Sequence, residues 1–302
     1  MTTRPATIVG AVVLLLAAGG LGWILLGQAS APAADEAAPA QAAPADAASA
    51  PVAPADAAPA AVARREPLPV PPVPPRVAEG ARYEQCLAMV PDDPRGAVSF
   101  AEGWTDGGEG ATHCRAMAEV SLGNVETGAK LLERIAADSH VAPAARAAVY
   151  GQAAQAWLMA GNAANAFRAG TAALALTPDD ADMLVDRAVA AGSLNRFEDA
   201  QDDLTHALDV DPHRAETLVL RASAWRHLGQ LDLAQDDIDR ALTIDPDNAE
   251  ALLERGILRE RRNDWDGARS DWEQAIALAP DSATADLAEQ NLALLEAGPA
   301  SK

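Results

Sequence analysis

The stretch of sequence that decides the fold lies between Ala181 and Pro246. Residues 181–212 read ADMLVDRAVAAGSLNRFEDAQDDLTHALDVDP, and residues 215–246 read AETLVLRASAWRHLGQLDLAQDDIDRALTIDP. The two segments align without a gap, both end in Asp-Pro, and the second starts 34 residues after the first. In both, apolar residues recur every three or four positions, a spacing typical of amphipathic helices. The repeat therefore predicts a pair of helices that occurs at least twice.

The same period extends on both sides of this stretch. Prolines recur at 34-residue intervals, at Pro178, Pro212, Pro246 and Pro280. With each proline counted as position 32, four units begin at Ala147, Ala181, Ala215 and Ala249. Positions 8, 20 and 27 carry only Ala or Gly, which lets two helices approach closely, and large residues occupy most of positions 4, 11, 17 and 24. Position 15 carries Gly or Asn, residues that tolerate the positive φ with which a helix ends.

These residues resemble the tetratricopeptide repeat, a 34-residue helix–turn–helix unit. The resemblance covers the units 147–180, 181–214, 215–248 and 249–282, and it implies an all-α fold, an α-solenoid of antiparallel helix pairs. A weaker form of the pattern predicts helical hairpins over residues 78–146, and residues 283–298 are expected to form a C-terminal capping helix. The tryptophans on packing positions, predicted to lie in the core, are Trp157, Trp225, Trp265 and Trp272. The predicted helix N-caps are Asp179, Asp247 and Asp281.

Residues 1–27 predict a single transmembrane anchor. The apolar run from Ile8 to Leu26 would be about 28 Å long as a helix, close to the thickness of a bilayer core. Arg4 precedes the run and acidic residues follow it, which predicts a cytoplasmic N-terminus and a periplasmic C-terminal domain at the bacterial inner membrane. A cleavable signal peptide is the alternative, and it would export the chain equally. Residues 28–77, rich in Ala and Pro, are predicted to be a disordered linker.

The net charge argues against nucleic acid as a partner. Asp plus Glu number 44 against 23 Lys plus Arg, a net charge of −21, whereas nucleic-acid binding needs a clustered basic surface.

The two cysteines, Cys86 and Cys114, fall on the first and third predicted helices, which are neighbours in a solenoid. Export to an oxidising compartment predicts a disulfide between them. The alternative is a redox or metal site of Cys86, His113 and Cys114, which lacks a fourth ligand and a Cys-x-x-Cys motif.

A periodic set of opposite charges predicts ion pairs within or between units. Position 7 carries arginine and position 23 carries aspartate in the same three units. The residues concerned are Arg187, Arg221 and Arg255, and Asp203, Asp237 and Asp271. Removing one member of a partly buried pair leaves a buried charge, so we expect these residues to matter for stability.

The first helix of each unit leaves positions 2, 5, 9 and 12 on the face away from the second helix. In stacked repeats such faces line a continuous concave groove. The residues predicted to line the floor of the groove are Val185, Val189, Val219, Ser223, Leu253 and Ile257. Those predicted toward its rim are Arg226, His227 and Arg261. An apolar floor between charged rims suits a helix or an extended peptide. The alternative is that the chain's own capping helix or a second copy of the chain covers the floor.

These observations predict a membrane-anchored periplasmic scaffold or adaptor that binds protein or peptide segments, in envelope assembly or protein maturation. The predicted partners are a protein or peptide ligand and the membrane, and self-association stays open. No cofactor, metal site or catalytic residue is predicted. The chain shows no glycine-rich phosphate loop, no metal quartet, and no nucleophile with a base at a recognisable spacing. The alternative is a thiol-active accessory enzyme that uses the cysteine pair.

Overall fold

The computed structural model describes residues 76–297, and every regular element within that range is an α-helix. In chain order the helices are α1 (Ala81–Met89), α2 (Pro94–Gly103), α3 (Gly108–Ser121), α4 (Val125–Asp138), α5 (Pro143–Met159), α6 (Ala163–Leu174), α7 (Ala181–Ser193), α8 (Phe197–Val210), α9 (Ala215–His227), α10 (Leu231–Ile244), α11 (Ala249–Arg261), α12 (Trp265–Leu278) and α13 (Ala283–Ala297). The predicted membrane anchor and nearly all of the predicted linker lie outside the described residues. Within residues 76–297, no helix combines the length and the apolarity that a bilayer crossing requires.

The helices pack in chain order as a solenoid of pairs. The pairs α5/α6, α7/α8, α9/α10 and α11/α12 follow the 34-residue period, and each first helix also contacts the first helix of the next pair. Small residues lie where the helices of a pair meet: Ala188, Ala200 and Ala207 are completely buried in the second unit. Large side chains such as Leu184 and Leu204 fill the space beside these close approaches. The all-α solenoid predicted from the sequence is confirmed.

The turns inside the pairs end the first helices as predicted. Positive φ values of 71°, 58°, 75° and 62° occur at Gly161, Asn195, Gly229 and Asn263. The predicted N-caps are displaced by one residue, because the capping side chains belong to Asp180 and Asn248 rather than to Asp179 and Asp247. Helices α7, α9 and α11 begin at position 1 of their units, so the residue directly before that position is the one whose side chain can accept from the orphan N–H groups of the first turn.

Upstream of Ala147 the repeat pattern is offset by four residues. Gly123 falls at position 15 of a unit that would start near Glu109, which is 38 rather than 34 residues before Ala147, and helix α5 accounts for this offset. It starts at Pro143 and has 17 residues, whereas α7, α9 and α11 have 13. The extra residues add one turn at the helix N-terminus, where proline is well tolerated because its missing N–H would have no intrahelical partner. The four-residue offset between the upstream hairpins and the four regular units is therefore one additional helical turn.

The tryptophans divide into buried and exposed. Trp157 and Trp272 are buried and Trp225 is partly buried, but Trp265 is 46 % exposed, so its assignment to the core is wrong. The residue at position 17 is covered by the first helix of the following unit, as the stacking of Phe197 on His227 illustrates, with ring centroids 4.1 Å apart. The unit after Trp265 consists of α13 alone within the described residues, and that helix leaves nearly half of the indole uncovered.

Candidate functional site

The candidate site is the first-helix face, by which we mean the surface of α5, α7, α9 and α11 that points away from the second helices. Most of its predicted floor is buried. Val189, Val219, Ser223 and Leu253 are each at most 5 % exposed. Consecutive first helices contact one another. The prediction of an open apolar floor is therefore wrong at these four residues.

At the C-terminal end of the face, the chain's own capping helix covers the floor. Leu253 and Ile257 of α11 share an apolar cluster with Leu287 and Leu292 of α13. This is the self-covering arrangement that the sequence left open as an alternative. Asp286 and Gln290 lie on the exposed side of α13, as expected of a helix that ends a solenoid.

Arg226, predicted at the rim of the groove, is buried instead. Its guanidinium donates hydrogen bonds to both carboxylate oxygens of Glu254, and it also donates to the Ser223 hydroxyl at 3.2 Å. Both charged side chains are 6 % exposed, and the pair links α9 to α11. Sequence reasoning missed Glu254. The available signal was a carboxylate at position 6, a position at which Leu220 stands in the preceding unit.

Asp186 is a second buried carboxyl on this face that sequence reasoning missed. It is 8 % exposed and accepts a hydrogen bond of 2.9 Å from the side-chain amide of Gln155 on the preceding first helix. Burial raises the pKa of Asp186 from 3.8 to about 7, and the hydrogen bond from Gln155 opposes part of that rise. Within residues 76–297 no arginine, lysine or histidine forms an ion pair with Asp186, and the charge of Arg214 lowers its pKa only in part.

The accessible part of the first-helix face is mainly polar. Its half-buried side chains include Val185, and its exposed ones include Asp182 and Glu216. At the predicted rim, Arg261 is exposed, whereas His227 stacks on Phe197 of the second helix α8. Asp182 forms an ion pair of 2.7 Å with Arg214, which precedes α9. The structure therefore brings Val185, Asp182 and Glu216 to adjacent first helices, with Arg261 on the next one.

The predicted arginine and aspartate residues form three ion pairs, each within one helix pair. The N–O distances are 2.5 Å for Arg187–Asp203, 2.7 Å for Arg221–Asp237 and 2.7 Å for Arg255–Asp271. Each arginine also donates through Nε, so both carboxylate oxygens are engaged. Hydrogen bonding to the aspartate raises the pKa of Arg187 and of Arg255.

These ion pairs lie away from the first-helix face. Arg221 donates from Nη1 to the Thr205 hydroxyl of the preceding unit, and Arg187 lies over the ring of Phe167, 5.6 Å from its centroid. Each of these two arginines is thus placed between its own second helix and the second helix of the unit before. The pairs join units and are not positioned to meet a ligand in the groove.

The N-terminal hairpins carry the predicted disulfide between Cys86 and Cys114. It joins α1 to α3 with a Cα–Cα distance of 6.0 Å, and both cysteines are completely buried. His113, the third member of the alternative redox or metal site, has other partners. In residues 76–297, no group of three or more His, Cys, Asp or Glu side chains could hold a metal ion.

His113 forms a buried polar contact between two hairpins and α5. Its Nε2 donates to the side-chain oxygen of Gln152 at 2.7 Å, and its Nδ1 accepts from the Tyr83 hydroxyl at 2.8 Å. Burial lowers the pKa of His113 to about 4, so the ring is neutral at physiological pH. A neutral ring with one donor and one acceptor satisfies both neighbours, which makes this contact structural.

Comparisons with known proteins agree with the repeat pattern. Two family models described as tetratricopeptide repeat match the chain, over residues 185–249 and over residues 220–293. No curated protein shows significant sequence similarity to the chain.

Two solved structures with TM-scores of 0.50 or more share the fold. YrrB, described as a TPR protein with an unusual peptide-binding site, is 18 % identical, with a TM-score of 0.50 over 66 % of this chain and 98 % of that chain. The APC/C hetero-tetramer Cut9–Hcn1 is 15 % identical, with a TM-score of 0.52 over 70 % of this chain and 42 % of that chain. A thermophilic TPR protein from Thermus thermophilus is 22 % identical, with a TM-score of 0.49 over 62 % of this chain and 100 % of that chain. With the helix pairs, their turns and the matched family models in agreement, the chain carries tetratricopeptide repeats arranged as an all-α solenoid.

Proposed function

We propose that this chain is a membrane-anchored periplasmic scaffold or adaptor that binds a protein or peptide segment on the first-helix face. One observation carries the proposal: accessible charged and apolar side chains follow one another on three consecutive first helices, at Asp182, Val185, Glu216 and Arg261. A row of this kind gives an extended segment several contacts at once. Envelope assembly or protein maturation is the role we assign to such an adaptor.

The ligand class is supported by a relative of the same fold. YrrB is described as having a peptide-binding site, and its repeats align over two thirds of this chain. Because the likeness concerns the fold, the binding residues must come from this chain itself. Val189, Val219 and Leu253 are engaged between helices, so we expect the contacts with a ligand to come from the polar side chains and Val185.

The compartment is supported by the disulfide and by the N-terminal sequence. Disulfides persist in oxidising compartments such as the bacterial periplasm, and the bridge between Cys86 and Cys114 uses both cysteines of the chain. The apolar run from Ile8 to Leu26 is long enough to anchor the chain in the inner membrane. The Ala- and Pro-rich residues 28–77 would then hold the solenoid away from the bilayer.

The thiol-active alternative is less well supported. Catalytic cysteines are partly exposed, because a substrate thiol has to reach the sulfur. Cys86 and Cys114 are both completely buried. Their bridge fits the role of a covalent link between α1 and α3.

Site-specific photo-crosslinking of the full chain in the cells that produce it tests the proposal. A photoreactive amino acid is placed at Val185, Glu216 or Arg261 on the first-helix face. The matched controls carry it at exposed positions of the second helices, at Asp202, Asp236 and Ser270.

We expect the first-helix positions to give adducts with a defined set of exported proteins, each through one short segment identified by mass spectrometry. The second-helix positions should give none of these adducts. Equal adducts from both faces, or adducts from the second helices alone, would refute the proposed binding surface. Adducts with cytoplasmic proteins would refute the proposed compartment.

A further inference from the structure

The exposed large apolar side chains of the solenoid follow the repeat. Within residues 76–297, seven such side chains are at least 40 % exposed, and three of them occupy position 30 of consecutive units: Val210 at 46 %, Ile244 at 42 % and Leu278 at 40 %. Leu176 holds the same position in the unit before and is half-buried. Single apolar side chains on a surface are ordinary, whereas equivalent ones in successive units form a row. We call Leu176, Val210, Ile244 and Leu278 the edge row.

The edge row lies where each second helix ends and the loop to the next first helix begins. Val210, Ile244 and Leu278 are the last residues of α8, α10 and α12. This edge is continuous between units, since His206, one turn before Val210, donates from Nε2 to the Asp179 carboxylate in the loop after α6 at 2.9 Å. Consecutive first helices also contact one another, which places successive units about 10 Å apart, the distance between packed helices. The edge row is therefore a line of aliphatic side chains that repeats once per unit.

The charged side chains beside the edge row are carboxylates. No lysine or arginine occurs within three residues of any of its members. Arg240, four residues before Ile244, is already paired with Asp237. A surface of this kind is complementary to apolar residues that are flanked by basic ones. The exposed carboxylates within three residues of the edge row are Asp179, Asp209, Asp211, Asp245, Asp247 and Asp281.

These charges disfavour two occupants of the edge row. A second copy of the chain that paired its own edge row with this one would bring carboxylates against carboxylates, and like charges across an interface repel. The anionic surface of a membrane would be repelled for the same reason. The occupant of matching chemistry is a basic amphipathic segment of a partner protein.

The distance between units indicates the form of that segment. An α-helix rises about 1.5 Å per residue, so residues seven positions apart lie on one face about 10.5 Å from each other, close to the distance between units. We propose that the edge row docks a basic amphipathic α-helix of a partner protein, with an apolar residue at every seventh position and lysine or arginine three or four positions away. This docking site is formed by the second helices, so it is separate from the first-helix face and goes beyond the proposed function.

The test uses the full chain and a synthetic helical peptide of about 20 residues, with leucine at every seventh position, lysine three or four positions from each leucine, and alanine elsewhere. A permuted peptide of the same composition lacks the seven-residue spacing, and a third peptide carries glutamate in place of lysine. Fluorescence anisotropy measures the affinity of each labelled peptide for the chain. We expect the first peptide to bind about tenfold more tightly than the other two, with an affinity that falls as salt is raised.

Variants at exposed positions locate the binding, and thermal unfolding checks that each one stays folded. Val210→Ser with Ile244→Ser should weaken binding of the first peptide by about tenfold, because two apolar contacts are lost. The matched control is Leu233→Ser, which removes a 44 % exposed leucine near the start of α10 and should leave the affinity unchanged. Asp209→Asn with Asp247→Asn should weaken both the binding and its salt dependence.

Equal affinities for the first peptide and the permuted one, or an equal loss of affinity in Leu233→Ser, would overturn the docking site. Sedimentation of the full chain and its binding to phosphatidylglycerol vesicles test the two other occupants. A dimer that dissociates in Val210→Ser with Ile244→Ser would assign the edge row to a second copy, and vesicle binding that this variant reduces would assign it to the membrane. Either result would overturn the proposal. Cross-linking at the first-helix face does not depend on the edge row, so failure here leaves the proposed function in place.

Discussion

Asp186 is the residue whose burial has the clearest consequence for stability. Its pKa is raised to about 7 in the folded chain from an ordinary value of 3.8, so between these pH values the folded state binds more protons than the unfolded state. The free energy of unfolding therefore falls as the pH rises from about 4 to about 7. His113 acts in the opposite sense, because its pKa of about 4 makes the folded state less stable as the pH falls below 6.5.

We predict that Asp186→Asn stabilises the chain at pH 8 and has little effect at pH 4. The variant removes a charge whose burial costs on the order of 4 kcal/mol at high pH, and the His113 contribution cancels in the comparison. Urea denaturation of the variant and the parent at both pH values measures the difference. The same change in stability at pH 4 and pH 8 would mean that Asp186 does not titrate as described.

Arg187 is the ion-pair residue with the largest predicted effect on stability. In the part of the chain that the structure describes, Asp203 has no second arginine, whereas Asp237 keeps Arg240 and Asp271 keeps Arg259. We predict that Arg187→Ala lowers the free energy of unfolding by about 3 kcal/mol, the cost of leaving a buried charge unpaired. Denaturant unfolding of the single variant provides the measurement.

Two control variants test whether the loss of stability comes from leaving Asp203 unpaired. Arg262→Ala removes an exposed arginine whose partner Asp232 is fully exposed, and it should cost less than about 1 kcal/mol. The double variant Arg187→Met with Asp203→Leu removes both charges and should recover most of the loss. Equal losses for Arg187→Ala and Arg262→Ala would contradict the account of the ion pairs.

At the level of single helices, the packing of α11 against α12 depends on Trp272 and Gly256. Trp272 fills position 24, where Leu204 and Ile238 lie in the two preceding units, and its Nε1 donates to the Leu253 carbonyl at 3.2 Å. Gly256 at position 8 makes room for the indole, because a Cβ there would lie 2.3 Å from Nε1.

We predict that Gly256→Ala destabilises the chain although alanine is the better helix former, since packing outweighs a propensity gain of about 1 kcal/mol. The double variant Gly256→Ala with Trp272→Leu has alanine at position 8 and leucine at position 24, as Ala188 and Leu204 do in the unit 181–214. It should be more stable than Gly256→Ala alone. Thermal unfolding of the two variants measures this. A stabilising Gly256→Ala change would show that the indole can move aside at little cost.

The disulfide acts on the first hairpin. It closes a loop of 29 residues, counted from Cys86 to Cys114, which corresponds to about 3.6 kcal/mol in the chain-entropy model. We predict that Cys86→Ser with Cys114→Ser raises amide hydrogen exchange in α1 and α2 and leaves exchange in α9–α12 unchanged, because solenoid units contact only their neighbours. Uniformly faster exchange in all helices would contradict this local role.

Helix positions were largely predictable from the sequence, and helix lengths were less so. The prolines and the Gly or Asn residues mark where helices end, and each does so through its own backbone, which makes the signal local. The extra turn of α5 is different. Its residues continue a helical pattern at Pro143 without any periodic marker, so only the spacing of the upstream residues hinted at it.

At the scale of the whole molecule, sequence reasoning identified the candidate face but not how open that face is. The 34-residue period shows which side of each helix points away from its partner. It carries no information on how closely successive first helices approach, and that distance buries Val189, Val219 and Leu253. The Arg226–Glu254 pair was missed for a related reason, since it joins different positions of different units and does not repeat.

Binding on the first-helix face can be tested by hydrogen exchange of the full chain with and without a segment recovered by cross-linking at that face. If the segment binds as proposed, α7, α9 and α11 will gain protection while α8 and α10 exchange as before. Protection confined to the second helices, or no protection in any helix, would contradict binding on the first-helix face.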